Sequence, residues 1–162
     1  MPKSGGSIGK TPDYIALVSE TNCPLRVQAY REWLSRGTSM PAVKVLVVED
    51  VPELSRLLEM TFELDDRFEP VGSASSGGTA LDIAAREKPD AIVLDVAIDG
   101  VDGIGVLPLL RRVVPDARII IFTGHDDDAL RQEAMDAGAS EWVLKGGDLN
   151  RLLDALSGVR EG

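Results

Sequence analysis

The sequence predicts an α/β protein, a three-layer sandwich with helices on both faces of a parallel five-stranded sheet. Short runs rich in valine, isoleucine and leucine alternate five times with helical patterns between residues 43 and 158. Continuous apolar strands of this kind are typical of a sheet that is buried on both faces. Right-handed strand–helix–strand connections then distribute the helices over the two faces and complete the sandwich.

The first two strand–helix units are the most regular. Strand 43–48 precedes a helix near 52–65, where Pro52 suits the first turn and four apolar residues are expected to face inward, namely Leu54, Leu57, Leu58 and Phe62. Strand 68–74 precedes a helix near 77–87, which carries the apolar residues Ala80, Leu81, Ala84 and Ala85.

The third strand–helix unit contains prolines, which interrupt regular secondary structure. Strand 91–94 follows Pro89, and the next helix is expected near 104–113, with Pro108 in its first half. Pro108 would cost a backbone hydrogen bond if the helix began at Asp102. A later start, around residue 106, would place Pro108 in the first turn, where proline is tolerated.

The last two units have clear boundaries. Strand 117–122 precedes helix 127–137, which begins within three consecutive aspartates and ends at Gly138, as expected for helix ends. Strand 140–144 precedes helix 148–158, in which one apolar stripe comprises Leu149, Leu152, Leu153 and Leu156.

A change in charge predicts a domain boundary near residue 40. Residues 1–39 contain five Lys and Arg against three Asp and Glu, whereas the remainder contains 12 against 24. We expect residues 1–39 to be an extension, with a disordered tail at 1–12 and a possible short helix at 24–36, and residues 40–162 to be the domain. Met40 directly precedes the first strand, so the extension can equally be an upstream segment with little function.

Composition excludes several classes of function. A net charge of −10 argues against direct contact with nucleic acid. The single cysteine, Cys23, excludes an internal disulfide and fits the cytoplasm, and no apolar run is long enough to insert into a membrane. One histidine makes a zinc site of His and Cys improbable. Residues 4–11 approach a phosphate-binding loop, but Ser4 replaces a required glycine and no strand precedes it.

Polar side chains stand at the carboxyl ends of four predicted strands: Glu49 with Asp50, then Asp95, Thr123 and Lys145. Ligands of open α/β sheets bind at this edge. Crowded carboxylates repel one another, so the three acids predict a cation, and Mg²⁺ is the natural choice because it prefers oxygen ligands. Asp95 could then be a nucleophile, with Lys145 and Thr123 contacting phosphoryl oxygens. Singly, each residue has an ordinary alternative, such as Asp50 capping the next helix.

Several motifs resemble the receiver domain of bacterial two-component response regulators. The matching segments are Val-Leu-Val-Val-Glu49-Asp50, Ala-Ile-Val-Leu-Asp95, Asp102-Gly103, Ile-Ile-Ile-Phe-Thr123-Gly124 and Gly138-Ala-Ser-Glu-Trp-Val-Leu-Lys145. The resemblance implies a flavodoxin-like (βα)5 fold with strand order 2-1-3-4-5. It implies that Asp95 accepts a phosphoryl group from a sensor histidine kinase or a histidine phosphotransfer protein, in a Mg²⁺-dependent reaction.

The resemblance also implies roles for the surrounding residues. Mg²⁺ would be held by Glu49, Asp50, Asp95 and the backbone carbonyl of Ala97. Thr123 and the strand aromatic Trp142 would form a switch, in which Thr123 moves toward the phosphoryl group and Trp142 turns inward. Alternatively, Trp142 is an edge aromatic that packs on helix 127–137. The downstream protein target would contact helix 127–137, strand 140–144 and helix 148–158.

Three positions depart from the usual pattern or add to it. Asp99 and Gly146 occupy positions where the family usually has proline, which is expected to loosen the loops at the site. Asp99 could strengthen metal binding or be solvated. His125 lies where the family tunes hydrolysis of the acyl phosphate, and it could orient water or be an ordinary surface histidine.

Three functions therefore compete. The leading one is a phosphorylation-controlled switch that catalyses only its own phosphotransfer and autodephosphorylation. The second is an aspartate-nucleophile phosphohydrolase, which usually has a second acid at the position of Ala97. The third is an atypical receiver that acts unphosphorylated as an adaptor. Because little sequence follows the last helix, we expect a stand-alone receiver, or else a fragment of a longer regulator.

Overall fold

The computed structural model describes residues 41–98 and 101–158, together with Gln28, Glu32 and Ser35, but not the side chains of residues 101 and 102. The chain divides into two units, Met1–Ser39 and Met40–Gly162. In the first unit the three described residues are helical. The predicted tail at 1–12 and the rest of the predicted helix at 24–36 lie outside the described residues.

The second unit is built on one parallel sheet of five strands. Its strands are β1 (Val43–Val48), β2 (Phe68–Ala74), β3 (Ala91–Leu94), β4 (Arg118–Thr123) and β5 (Glu141–Leu144). Every neighbouring pair is parallel, and the order across the sheet is β2-β1-β3-β4-β5. The predicted sheet, its order and its flavodoxin-like connectivity are confirmed.

Helices cover both faces of the sheet, as predicted. They are α1 (Pro52–Glu63), α2 (Gly77–Glu87), α3 (Leu107–Val113), α4 (Asp128–Asp136) and α5 (Leu149–Ser157). One apolar core joins the sheet to α2, α3 and α4, and a second core joins its other face to α1 and α5. None of the helices within the described ranges has the length and apolar character needed to cross a bilayer.

Short polar side chains define several helix starts. Ser76 accepts a hydrogen bond from the amide of Thr79 before α2, and Asp127 accepts bonds from two amides of α4. In contrast, Val51 is the N-cap of α1 and provides no side-chain cap. Val51 rather than Asp50 therefore occupies the N-cap position, and the capping role of the Asp50 side chain stays a prediction.

The region between β3 and α3 differs from its prediction. Residues Ala97–Ile98 and Val101–Asp102 pair as a small two-stranded antiparallel sheet that the sequence pattern did not indicate. A 3₁₀ turn over Gly103–Val106 follows, and α3 starts at Leu107 with Pro108 in its first turn. The late start of this helix is confirmed, for the reason that proline lacks an amide hydrogen.

One predicted core residue of α1 is misplaced. Leu57 is 55% exposed, whereas Leu58 and Phe62 are fully buried. Leu58 and Phe62 are four residues apart and share one face, and Leu57 is rotated from that face by about 100°. The apolar residues of this helix therefore extend beyond the face that is buried against the sheet.

Candidate functional site

The carboxyl ends of four strands bring the predicted residues to one edge. Glu49 directly follows β1, Asp95 follows β3, Thr123 ends β4 and Lys145 follows β5. The backbone ladder extends to these positions, because the amide of Asp95 donates to the carbonyl of Val48 at 3.0 Å and the amide of Lys145 donates to the carbonyl of Thr123 at 2.7 Å. The sheet itself therefore positions these side chains.

Three acids form a compact cluster at this edge. Carboxylate oxygens of Glu49, Asp50 and Asp95 lie within 4.8 Å of one another. Glu49 and Asp95 are 3% and 6% exposed, and Asp50 is half-buried. Oxygen donors in this number and density suit a hard divalent cation such as Mg²⁺. The predicted acidic site is present, and its donor set fits the ion.

Lys145 bridges two of the acids. Its Nζ lies 2.7 Å from Oε2 of Glu49 and 2.6 Å from Oδ2 of Asp95. Distances this short are typical of charge-assisted hydrogen bonds. The ammonium group thus provides part of the positive charge that the crowded carboxylates require.

The protonation equilibria of the bridge follow from burial and charge. Burial raises the pKa of Glu49 above its ordinary value, and the hydrogen bonds from Lys145 and the amide of Val51 only partly oppose this effect. Burial lowers the pKa of Lys145, but its hydrogen bonds to Asp95 and Glu49 outweigh burial and the pKa is raised overall. Lys145 is therefore firmly cationic, while Glu49 accepts a proton more readily than a solvated glutamate does.

Backbone amides orient the two buried acids. The amide of Val51 donates to Oε1 of Glu49 at 3.2 Å, and the amide of Ala97 donates to Oδ1 of Asp95 at 3.1 Å. Each carboxylate therefore has one oxygen held by the backbone and the other directed at Lys145. The sequence did not indicate these two bonds. The role of the Ala97 carbonyl as a metal ligand stays a prediction.

Gly103, which the sequence indicated only as part of the Asp102-Gly103 motif, is a structural requirement of the site. A Cβ atom at this position would overlap the carbonyl oxygen of Asp95. The amide of Gly103 also donates to the carbonyl of Val96 at 2.6 Å. Only glycine permits so close an approach between this turn and the backbone of the nucleophile candidate.

Thr123 and His125 form a local turn after β4. Thr123 is fully buried, and its Oγ1 accepts a hydrogen bond from the amide of His125 at 3.2 Å. The hydroxyl hydrogen can rotate toward another acceptor. The side chain of His125 is exposed. The proposed roles of both residues stay predictions.

Trp142 is turned into the core. It is 9% exposed and belongs to the apolar cluster between the sheet and helices α2–α4. The guanidinium carbon of Arg131, on α4, lies 5.9 Å from the centre of its ring. Trp142 thus has both properties considered from sequence, an inward position and a contact with α4, while its switching role stays a prediction.

Gly146 and Asp99 occupy the two positions where the family usually has proline, and the structure describes only Gly146. Gly146 has φ of +84°, a conformation that proline cannot adopt because its ring holds φ near −65°. A proline could therefore not replace Gly146 without a change in the backbone of this turn. Asp99 lies outside the described residues.

Comparison with known proteins identifies relatives of this chain. A family model for the response regulator receiver domain matches residues 45–157. The nitrate/nitrite response regulator protein homolog of Haemophilus influenzae is 36% identical over 120 residues, which cover 74% of this chain and 58% of the relative. The chain thus spans little more than half of that relative's length. Sporulation initiation phosphotransferase F of Bacillus subtilis is 32% identical over 113 residues, covering 70% of this chain and 90% of the relative.

Solved structures agree with this result. A LuxR-family two-component response regulator from Aurantimonas sp. SI85-9A1 is 28% identical with a TM-score of 0.69, covering 74% of this chain and 85% of that one. A response regulator from Burkholderia pseudomallei, solved with a phosphorylated aspartic acid, a calcium ion and citrate, is 27% identical with a TM-score of 0.64, covering 70% and 66%. On its sequence, fold and acidic cluster, the chain belongs to the response regulator receiver domain family.

Proposed function

We propose that this chain is the phosphoacceptor of a two-component system and that Asp95 carries the phosphoryl group. One observation supports the proposal above all others. The buried carboxylate of Asp95 contacts Lys145 at 2.6 Å and shares a cluster within 4.8 Å with Glu49 and Asp50. A nucleophile, a cation and two further metal-binding acids are thus combined at the edge where ligands of such sheets bind.

The chemistry is a transfer between a nitrogen and an oxygen. A carboxylate oxygen of Asp95 forms a bond to phosphorus as the bond from phosphorus to the imidazole nitrogen of a phosphohistidine donor breaks. The electron pair of that bond remains on the imidazole. Lys145 balances charge on the phosphoryl oxygens, and the hydroxyl of Thr123 donates a hydrogen bond to one of them. Mg²⁺, held by the three acids, would supply further charge stabilisation.

The partners follow from this role. A sensor histidine kinase or a histidine phosphotransfer protein would supply the phosphoryl group, and phosphorylation would switch contacts to a downstream protein through α4, β5 and α5. The net charge of −10 supports protein contacts for the domain itself over nucleic-acid contacts. The domain would act in the cytoplasm and catalyse only its own phosphotransfer and dephosphorylation.

Incubation with acetyl phosphate tests the proposal, because a small acyl phosphate replaces the protein donor. We expect Mg²⁺-dependent labelling of the wild type, none of Asp95→Asn, and full labelling of Asp82→Asn, which changes an exposed acid of α2. Equal labelling of Asp95→Asn and wild type would overturn the assignment.

The two alternative functions predict different results. A phosphohydrolase would release many phosphates per chain from a phosphate ester, although the position two residues after Asp95 is Ala97, without an acidic side chain. An unphosphorylated adaptor would show no labelling and would bind its partner equally well after Asp95→Asn. The bridged and clustered acids support the phosphoacceptor over both.

A further inference from the structure

Arg131 lies between the loop that follows Thr123 and the ring of Trp142. Its guanidinium is 3.6 Å from Oδ1 of Asp126 and 3.6 Å from Oδ1 of Asp128. The same group lies over the indole ring of Trp142, 5.9 Å from its centre. A cation within about 6 Å of a tryptophan face is attracted to it. One side chain therefore contacts the loop and the aromatic at the same time.

The arrangement leaves two donors unsatisfied. Among the described residues, Nε of Arg131 and Nε1 of Trp142 are buried side-chain nitrogens without a hydrogen-bond partner. A buried N–H that lacks an acceptor is unfavourable, because the same group would be hydrated if the side chain turned outward. Trp142 thus occupies its inward position despite this cost. Burial of the ring and the cation above it must offset the missing hydrogen bond.

The position of Asp126 connects this contact to the site. Asp126 is three residues after Thr123, and the amide between them, that of His125, donates to the Thr123 hydroxyl. A movement of Thr123 would shift this segment and change the distance from Asp126 to Arg131. Because Arg131 also covers the indole ring, the shift would alter the environment that keeps Trp142 inward.

We propose that Arg131 is a positioning residue, which holds Trp142 in the core and couples its orientation to the loop after Thr123. The holding role needs no phosphorylation, whereas the coupling rests on the proposed function. Lysine at this position would keep the charge over the ring, and glutamine would remove the charge while retaining a polar side chain. If Arg131 only filled space, the lysine and glutamine substitutions would have similar effects, although only lysine keeps the positive charge.

Fluorescence of Trp142 tests the holding role in the full chain. Trp33→Phe makes Trp142 the only tryptophan, because the sequence has two. In this background we expect Arg131→Gln to shift the emission to longer wavelength and to increase the acrylamide quenching constant about twofold, since indole emission reports solvent access. Arg131→Lys should stay close to the parent protein.

Arg56→Gln is the matched control. Arg56 is also a helical arginine with two carboxylate neighbours, Glu59 at 3.7 Å and Glu63 at 3.6 Å, but it lies on α1. We expect it to leave emission and quenching unchanged. Circular dichroism establishes that each variant is folded. Unchanged emission and quenching in folded Arg131→Gln, or equal changes in Arg131→Lys and Arg131→Gln, would overturn the proposal.

Phosphorylation tests the coupling. With Mg²⁺ and acetyl phosphate, we expect the Trp142 signal of the parent protein to change as Asp95 is labelled. In Arg131→Gln, labelling should persist while the change in the signal falls to less than about half. An undiminished change would contradict the coupling. Absence of labelling in the parent would contradict the proposed function instead, and the unphosphorylated comparison would then decide the holding role by itself.

Discussion

Two half-buried cations lie at opposite ends of β5, and their hydrogen-bond partners are charged at one end and neutral at the other. At the carboxyl end, Lys145 contacts two carboxylates, and these contacts raise its pKa despite burial. At the amino end, Arg111 donates to the carbonyl of Gly138 at 2.7 Å and to Oγ of Ser140 at 3.0 Å, and burial lowers its pKa. One cation belongs to a network of charges, and the other to a network of neutral groups.

The difference separates two ends of the sheet. At the fixed end, around Arg111, the hydrogen-bond partners keep their charge; at the changeable end, around Lys145, the charge of the partners can change. The donors of Arg111 join α3 to the segments that lead into β4 and β5, and their acceptors are carbonyls and one hydroxyl that retain the same charge at all ordinary pH values. The acceptors of Lys145 are acids, whose interactions change when a cation, a proton or a phosphoryl group arrives. The charged partners of Lys145 can therefore respond to such a ligand, whereas the neutral partners of Arg111 cannot.

The largest expected effect is loss of stability at the fixed end. Arg111→Met keeps the apolar stem but removes the guanidinium donor from the part-buried carbonyls of Gly138 and Ala117, so we expect it to lower the free energy of unfolding by about 2–4 kcal/mol. Arg112→Met changes the neighbouring exposed residue and should cost less than about 0.5 kcal/mol. Urea unfolding measures both. Equal losses would show that the bonds of Arg111 contribute no special stability.

A smaller effect is expected at the changeable end. In Lys145→Gln the two acids lose their cation, so Mg²⁺ no longer competes with an ammonium group for Glu49 and Asp95. We expect Mg²⁺ to bind on the order of fivefold more tightly, while phosphorylation from acetyl phosphate becomes slower. Calorimetric titration measures the affinity, with Lys88→Gln as an exposed control. Weaker Mg²⁺ binding by Lys145→Gln would contradict competition at this site.

The smallest effect is a pH dependence that comes from Glu49. Its pKa in the folded protein is above the ordinary 4.5, so the folded state binds this proton more tightly than the unfolded state. The resulting stabilisation is complete below pH 4.5 and is lost as the pH rises through the raised pKa. Glu49→Gln lacks this contribution, and its stability should therefore fall more steeply than that of the wild type on acidification.

Urea unfolding of the metal-free proteins at a series of pH values measures this difference. Glu69→Gln, which changes an exposed acid of β2, is the control and should follow the wild type. A wild-type curve as steep as that of Glu49→Gln would mean that Glu49 does not bind its proton more tightly in the folded state.

Periodic patterns carried most of the fold prediction. The five strands and helices repeat with regular apolar spacing, and buried parallel strands have a distinctive composition. The small two-stranded sheet after Asp95 was not predicted, because two-residue strands have no periodicity to detect. Leu57 was misplaced, because hydrophobicity alone does not tell which side of a helix is covered by a neighbour.

The site was predictable for a different reason. Parallel strands end at the same edge, so residues distant in sequence, such as Glu49 and Lys145, could be placed together from topology. Their direct bridge could not be predicted, because it depends on side-chain distances. The close approach of Gly103 to Asp95 and the contact of Arg131 with Trp142 likewise arise only from packing.

Locating the phosphoryl group in the chain tests the central claim most directly. After reaction with acetyl phosphate and Mg²⁺, borohydride reduces an aspartyl phosphate to homoserine, which peptide mass spectrometry identifies by position. We expect conversion at residue 95 alone, and none when Mg²⁺ is chelated. Conversion at another acid, or the absence of conversion in Mg²⁺-loaded folded protein, would contradict the assignment of Asp95 as the phosphoacceptor.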